Sequence, residues 1–237
     1  MGLTESVPAG LSDAAGLELT AYREAHVRER VRRALEREGV AGAGQLARLL
    51  KADPQARARF RRSVAISFSG LFRDPAQFEL LERELLPPLL ASEGRLRVWS
   101  AGCADGSELY SVALLLQRLG ALERAFLLGS DLLEENLDAA RRGPRLPAGA
   151  EDALRPRLRW ERRDLVRDGA PPVKWRLVLC RNVGIYFAWD AKERLHRSLA
   201  GALARDGVLL LGRSERLTDP RGLGLQPVAP HAYRRIA

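Results

Sequence analysis

The chain holds only two cysteines, Cys103 and Cys180, in 237 residues. That is too few for a disulfide framework. Together with three scattered histidines, His26, His196 and His231, they offer no zinc-ligand spacing. No apolar run approaches the roughly 20 residues that span a bilayer. Residues 1–8 lack a basic stretch followed by an apolar one, so no secretory signal is expected, and Gly2 and Ser6 meet the loose myristoylation pattern only formally. There is no G-x-S-x-G elbow, no G-x-G-x-x-G and no phosphate-binding Lys-Ser/Thr pair. Internal repeats and low-complexity segments are missing too. A cytoplasmic protein with no metal and no membrane insertion is the expectation.

Lysine is scarce, at positions 51, 174 and 192 alone, so the net charge of +9 is carried by arginine. An acidic partner or nucleic acid is one account of that charge. Plain compositional bias towards Arg, Ala, Leu and Gly is the other, and only clustering on one face separates them. The chain is 46% hydrophobic, enough for a real core in one large or two small domains.

Residues 1–16 read as a loose leader. Tyr22, Val27, Val31 and Leu35 recur near the helical period, which predicts a helix over 17–38 with Gly39 as its stop. Shorter helices are expected over 43–51 and 55–65. The whole of 1–66 is expected to form a small helical domain. Residues 67–90 then form a linker and a connecting helix, with Asp74 as its cap, Pro75 in its first turn and Pro87-Pro88 as its stop. From 91 to 237 apolar strands alternate with helical stretches, the signature of a mostly parallel sheet. Strands are predicted at 96–100, 126–130, 158–162, 176–180 and 208–211. Helices are predicted at 108–119, 134–141 and 191–205, and 225–228 and 232–236 are expected to pair as a terminal antiparallel hairpin.

The chemistry gathers around the first strand of this sheet. The run V-W-S-A-G-C-A-D-G-S-E-L-Y-S passes from strand through a glycine turn (Gly102, Gly106) into a helix opened by Glu108. In open α/β sheets that turn lies where small ligands bind. The second strand ends at Asp131, a position from which a carboxylate can accept hydrogen bonds from both ribose hydroxyls. Asp105 and Glu108 repel phosphate. A nucleoside cofactor without phosphates and with a positive charge fits this turn, and S-adenosylmethionine is such a molecule. The alternative is that Glu108 and Asp131 only stabilise helix N-termini. The fourth strand runs into C-R-N-V-G-I-Y-F, which places Arg181, Asn182 and Tyr186 near the same crevice. Alternatively, Arg181 pairs with a surface acid and Tyr186 is a core aromatic. Cys103 and Cys180 end neighbouring strands and read as small buried residues.

Taken together, S-F-S-G-L-F-R-D-P, A-G-C-A-D-G-S-E-L-Y-S, G-S-D, C-R-N-V-G-I-Y-F and G-R-S-E resemble the CheR-type chemoreceptor glutamate methyltransferases, from about Leu17 to the C-terminus. The resemblance implies a Rossmann-like class I methyltransferase sheet, mostly parallel with a C-terminal antiparallel hairpin, behind a small all-helical N-terminal domain. It implies transfer of methyl from S-adenosylmethionine to receptor glutamates, leaving S-adenosylhomocysteine. By position, Ser67, Ser69 and Arg73 fall on contacts to the methionine part, Arg73 facing its carboxylate. Gly102 belongs to the cofactor turn, Glu108 takes the amino group and Asp131 the ribose. Asp164 and Leu165 face the adenine, Arg181 and Asn182 make a further contact, and Arg73 and Tyr186 flank the transfer. Arg28, Arg30 and Arg33 fall on the helix that in the family is thought to face the acidic helical receptor.

Departures from the family pattern stand at Ser107 (usually an acid), Leu109 (proline), Ser67 and Asp164 (asparagine) and Ser69 (threonine). Between the second and third strands only about 142–157 remains, where many members insert an antiparallel β-subdomain that in some grips a receptor's C-terminal peptide. A Pro-rich loop and no such tethering are expected here, in a monomer. The alternative is a weak or inactive cofactor-binding scaffold of the same family. Nucleic acid is not an expected partner. A nucleic-acid enzyme needs a polar-Pro-Pro-aromatic stretch or a Pro-Cys nucleophile after strand four, where R-N-V-G-I-Y stands and Cys180 follows leucine.

Overall fold

The structure, a computed structural model, describes residues 9–65, 70–92 and 94–236. The chain divides into two compact units. Met1–Ile66 with Tyr186–Arg194 form one, and Ser67–Ile185 with Leu195–Ala237 form the other.

The first unit is helical: α1 (Ala9–Ala15), α2 (Glu24–Glu38), α3 (Ala43–Ala52) and α4 (Pro54–Val64), with α1 packed on α3, α3 on α4 and α2 on α4. Val27, Val31, Leu46, Leu50, Phe60 and Val64 are buried. Gly39, in the left-handed region at φ 65°, ends α2 as expected. Asp53 Oδ1 accepts from Gln55 N at 2.7 Å and so caps α4. Two expectations fail here. Residues 9–15 of the supposed leader form a helix, because Leu11, Ala14 and Ala15 share one face and all three are buried. The helix predicted from 17 begins only at Glu24, because Leu17 and Leu19 both turn inward on an irregular segment with a 3₁₀ turn at Leu19–Ala21. The stretch Tyr186–Arg194 is tied to this unit by Arg23 N to Tyr186 O (2.9 Å), Ala188 N to Ala21 O (2.8 Å) and a Tyr22–Phe187 bridge.

The second unit carries β1 (Leu96–Ala101), β2 (Ala125–Asp131), β3 (Leu158–Arg162), β4 (Trp175–Cys180), β5 (Leu203–Leu211), β6 (Leu225–Ala229) and β7 (Ala232–Arg235). They form one sheet in the order β3-β2-β1-β4-β5-β7-β6. β1 to β5 run parallel, while β7 is antiparallel to β5 and β6, the expected hairpin. β1, β2 and β4 are near-continuous buried runs, as strands covered on both faces must be. β1 lies between β2 and β4, so the order reverses at β1. The ligand crevice of such a sheet opens outside the carboxyl ends of those strands.

Around the sheet lie α5 (Pro75–Leu80), a π-turn (Leu81–Leu85), α6 (Leu86–Ala91), α7 (Ser107–Arg118), α8 (Glu134–Arg142), α9 (Ala150–Leu154) and α10 (Trp189–Ala202), the last beginning in the helical unit. Pro87 and Pro88 do not stop the connecting helix. The π-turn shifts the hydrogen-bond register before them, and both fall in the first turn of α6, where a missing N–H costs least. α10 ends three residues early, and β5 starts at Leu203 instead of 208. Trp175 pairs with Leu203 and Leu177 with Val208, so residues 204–207 bulge out of the ladder. α8 stands where a helix is predicted, but the stretch 142–157 is not a plain loop: it contains α9 and a 3₁₀ turn at Arg155–Arg157, and no β-subdomain is found there among the described residues.

Candidate functional site

The turn after β1 is pinned to β2. Gly102 N and Cys103 N both donate to Ser130 O, at 2.8 and 2.9 Å. Gly102 is required: its φ is 76°, and a Cβ there would stand 2.5 Å from Val183 Cγ2. Glu108, in the first turn of α7, accepts from Ser100 Oγ (2.7 Å) and from Arg181 Nη1 (3.2 Å). Its side chain is 14% exposed. Among the described residues, two of a carboxylate's roughly four acceptor sites are thus filled.

Asp131 ends β2 and is buried. Its Oδ2 accepts from Ala104 N, and its Oδ1 from Leu133 N and Asn136 Nδ2, each at 2.9 Å. Burial pushes its carboxyl above the usual range, opposed by those hydrogen bonds. The alternative weighed from sequence therefore holds in part, since Asp131 does fix the start of α8. It also clamps the β1 turn through Ala104.

Arg181 leaves β4 and is 8% exposed. Its Nε donates to Gln77 Oε1 (2.9 Å), Nη1 to Glu108, and Nη2 to Arg73 O (2.6 Å) and Asp74 Oδ2 (3.1 Å). The guanidinium also stacks over Phe78 at 5.0 Å. Asp74 occupies the N-cap position of α5 but makes no side-chain cap, contrary to expectation, because its carboxylate is taken by Arg181. Gln77 Nε2 reaches on to Leu211 O at 2.9 Å and ties α5 to β5. The next residue, Asn182, stands at φ 61°. Its N–H donates to Glu215 Oε2 (2.6 Å), and the same carboxylate accepts from Gly184 N (2.8 Å) and Gly212 N (3.0 Å). Four of the six non-glycine residues with positive φ among those described, Phe72, Asp74, Ala104 and Asn182, lie in these turns. Such backbone strain concentrates at working sites.

The structure thus joins Arg73 (through its carbonyl), Glu108 and Arg181 in one network. Gly102, Asp131 and Asn182 lie on the turns beside it. Ser67 and Ser69 lie outside the described residues. Asp164 turns inward on its own loop, accepting from Val166 N and Arg167 N (2.9 and 3.3 Å). It follows Arg163, whose N–H donates to Asp131 O at 2.9 Å, and it precedes the buried Leu165. Tyr186 belongs to the helical unit, where its ring lies 5.1 Å from that of His26. His26 Nε2 meets Val64 O at 2.9 Å, and burial lowers its pKa. On α2, Arg28 pairs with Glu24, and Arg33 and Arg32 pair with Glu29. Arg30 has intermediate burial.

Three participants escape sequence reasoning: Gln77, Asp74 as an ion-pair partner, and Glu215. Only Glu215 left a signal, as the unassigned acid of G-R-S-E. Burial lifts both thiols, Cys103 and Cys180, well above the ordinary cysteine pKa and so disfavours the reactive thiolate. Among the described residues no group of three or more His, Cys, Asp or Glu could hold a metal, and no helix is long and apolar enough to cross a membrane.

A mostly parallel sheet reversing at β1, with Asp131 ending β2 and Glu108 opening α7, is a Rossmann-like architecture suited to a nucleoside cofactor. The chain belongs to the CheR methyltransferase family, whose SAM-binding domain matches residues 67–145 and 148–225. The break in that match falls in the β2–β3 connection. A chemotaxis protein methyltransferase of Listeria innocua is 31% identical over 89% of this chain and 88% of its own. Chemotaxis protein methyltransferase 1 of Pseudomonas aeruginosa is 28% identical over 88% of each. Among solved structures, the magnesium protoporphyrin IX methyltransferase of Synechocystis PCC 6803 with bound SAH aligns over 78% of this chain and 65% of its own, at 19% identity and a TM-score of 0.42.

Proposed function

We propose that this chain is a cytoplasmic protein-glutamate O-methyltransferase that uses S-adenosylmethionine to esterify glutamates on the acidic helical region of a chemoreceptor. The observation that carries it is the fixed Glu108, held between Ser100 Oγ and Arg181 with acceptor capacity to spare among the described residues. That arrangement suits an ammonium and repels a phosphate. The donor set therefore fits the cofactor. Glu108 would hold its amino group, Arg73 its carboxylate, Asp131 a ribose hydroxyl and the turn at Asp164-Leu165 the adenine. Bound S-adenosylmethionine supplies an electrophilic methyl on a sulfonium. A glutamate side chain is already ionised at neutral pH, so the protein need supply no general base. Its work is to position the acceptor carboxylate and exclude water. Arg73 and Tyr186 are the residues we assign to that positioning.

The receptor and its glutamates are inferred from the family resemblance and from the names of the relatives. α2 carries Arg28, Arg30 and Arg33 as candidate docking groups. Because Arg28 and Arg33 already have glutamate partners, docking would exchange ion pairs. The short β2–β3 connection supports a substrate face without C-terminal peptide tethering. The test is transfer of labelled methyl from S-adenosylmethionine to receptor, giving a base-labile ester. Tight binding of S-adenosylhomocysteine with no transfer to any receptor would instead support a cofactor-binding scaffold. No transfer and no binding would defeat both.

A further inference from the structure

We infer that a groove at the amino-terminal end of β4 and β5 binds a small organic diphosphate, of the size and charge of a nucleoside diphosphate. The groove encloses about 570 Å³ and lies entirely within the sheet-bearing unit. That volume suits a small ligand and not a folded partner. Its apolar side comes from Leu85, Pro88 and Leu89 on the connecting helix and from Val208 on β5. Its basic side comes from three neighbouring strands. Arg176 is the second residue of β4, Arg205 sits in the β5 bulge, and Arg234 pairs with Val208 across β5 and β7. Asp206 is the one acid among the described residues of the lining.

The bulge is built to hold its shape. Asp206 has φ 60°, and a Cβ on Gly207 would stand 2.8 Å from Trp175 O, so this turn admits only glycine there. Arg205 is thereby carried out of the ladder to the groove. Arg176 is oriented by a hydrogen bond to Ser92 Oγ. The Arg205 and Arg234 guanidinium groups make no ion pair or side-chain hydrogen bond among the described residues. Elsewhere the chain pairs its arginines readily, on α2, on α8 and at Arg181. Three arginines lining one groove with a single acid among its described residues repel one another until an anion enters. Each presents a planar fork that matches phosphate oxygens. A diphosphate concentrates its charges within a few ångströms, as a peptide's spaced carboxylates do not. The apolar side gives the body of an organic ligand a surface that inorganic phosphate cannot use.

Isothermal titration of the whole chain with ADP, inorganic pyrophosphate and adenosine tests this. The expected result is that ADP binds, pyrophosphate binds more weakly and adenosine does not bind. The double variant R205Q/R234Q should weaken ADP about tenfold or more. Should that variant fail to fold, R205Q alone, at an exposed position, is expected to weaken ADP in the same direction. The proposal is overturned if neither anion binds, if adenosine binds as well as ADP, if pyrophosphate matches ADP, or if the folded variants bind ADP unchanged.

Discussion

The two ends of the sheet treat arginine in opposite ways. At the carboxyl end Arg181 is buried, and Gln77, Glu108, Asp74 and the Arg73 carbonyl each accept from it. At the amino end Arg176, Arg205 and Arg234 share one groove with a single acid among its described residues. A buried charge is costly unless it is paired and hydrogen-bonded, so the first end can have only this arrangement. The second end is open to solvent, which screens its charges and lets them stay unpaired. A satisfied charge fixes backbone, whereas an unsatisfied one waits for a ligand. Glu215 makes the same point as a carboxylate: three backbone N–H groups from two loops converge on it.

The largest effect is expected at Glu215. Glu215→Ala strands the N–H groups of Asn182, Gly184 and Gly212 and should cost about 3–5 kcal/mol, read by denaturant unfolding. A loss below about 1 kcal/mol would mean the loops hold without it, and the contrast between the two ends would weaken. Arg181→Met comes next. It leaves Glu108 and Asp74 without their shared cation and should cost about 2–4 kcal/mol. Affinity for S-adenosylhomocysteine should fall with it, because Glu108 loses one of its two anchors. Unchanged affinity with reduced stability would make Arg181 a fold element only.

Asp131→Asn is a milder and more diagnostic change. It keeps the shape but removes the charge, and S-adenosylhomocysteine binding should weaken about tenfold. The pH dependence follows from the raised carboxyl. Above its folded pKa, Asp131 is charged and its burial costs stability. As pH falls through that value the cost is relieved, because the folded state holds the proton more tightly than the unfolded chain. Cofactor affinity moves the other way and declines as the carboxylate is protonated, starting above the ordinary aspartate pKa. Calorimetry across the acid range should show that decline setting in at a higher pH in the natural chain than in Asp131→Asn. An identical pH profile in both would take Asp131 out of the cofactor site.

Much of this was legible in the sequence, for physical reasons. Strands such as Leu96–Ala101 and Ala125–Asp131 are short apolar runs with few alternatives; the tip of the second declared Asp131, and the helix start after the first declared Glu108. What was illegible depends on distant partners. Gln77 meets Arg181 and Leu211 across 104 and 134 residues, and no local pattern announces that. Asp74 had a plausible local task as a helix cap and was drawn from it by Arg181. α1 was lost because a seven-residue Ala-Gly helix has too little periodicity to register and is fixed by what it buries. Pro87-Pro88 misled because the preceding π-turn removes the usual conflict between proline and helix.

The smallest effect on stability is expected at the other end of the sheet, and there smallness is the point. Replacing Arg205 and Arg234 with glutamine breaks no side-chain hydrogen bond or ion pair among the described residues, so unfolding free energy should move by less than about 0.5 kcal/mol. Its sign should favour the variant, because two members of a like-charged trio are gone. Salt should then discriminate. The Debye length is about 10 Å at 0.1 M, so screening relieves repulsion among Arg176, Arg205 and Arg234 in the natural chain and has little left to relieve in R205Q/R234Q. Thermal unfolding at low and high salt should therefore show the natural chain gaining more than the variant. A variant that loses stability well beyond that range would show these arginines to be held as firmly as Arg181, and the two ends of the sheet would no longer differ in kind.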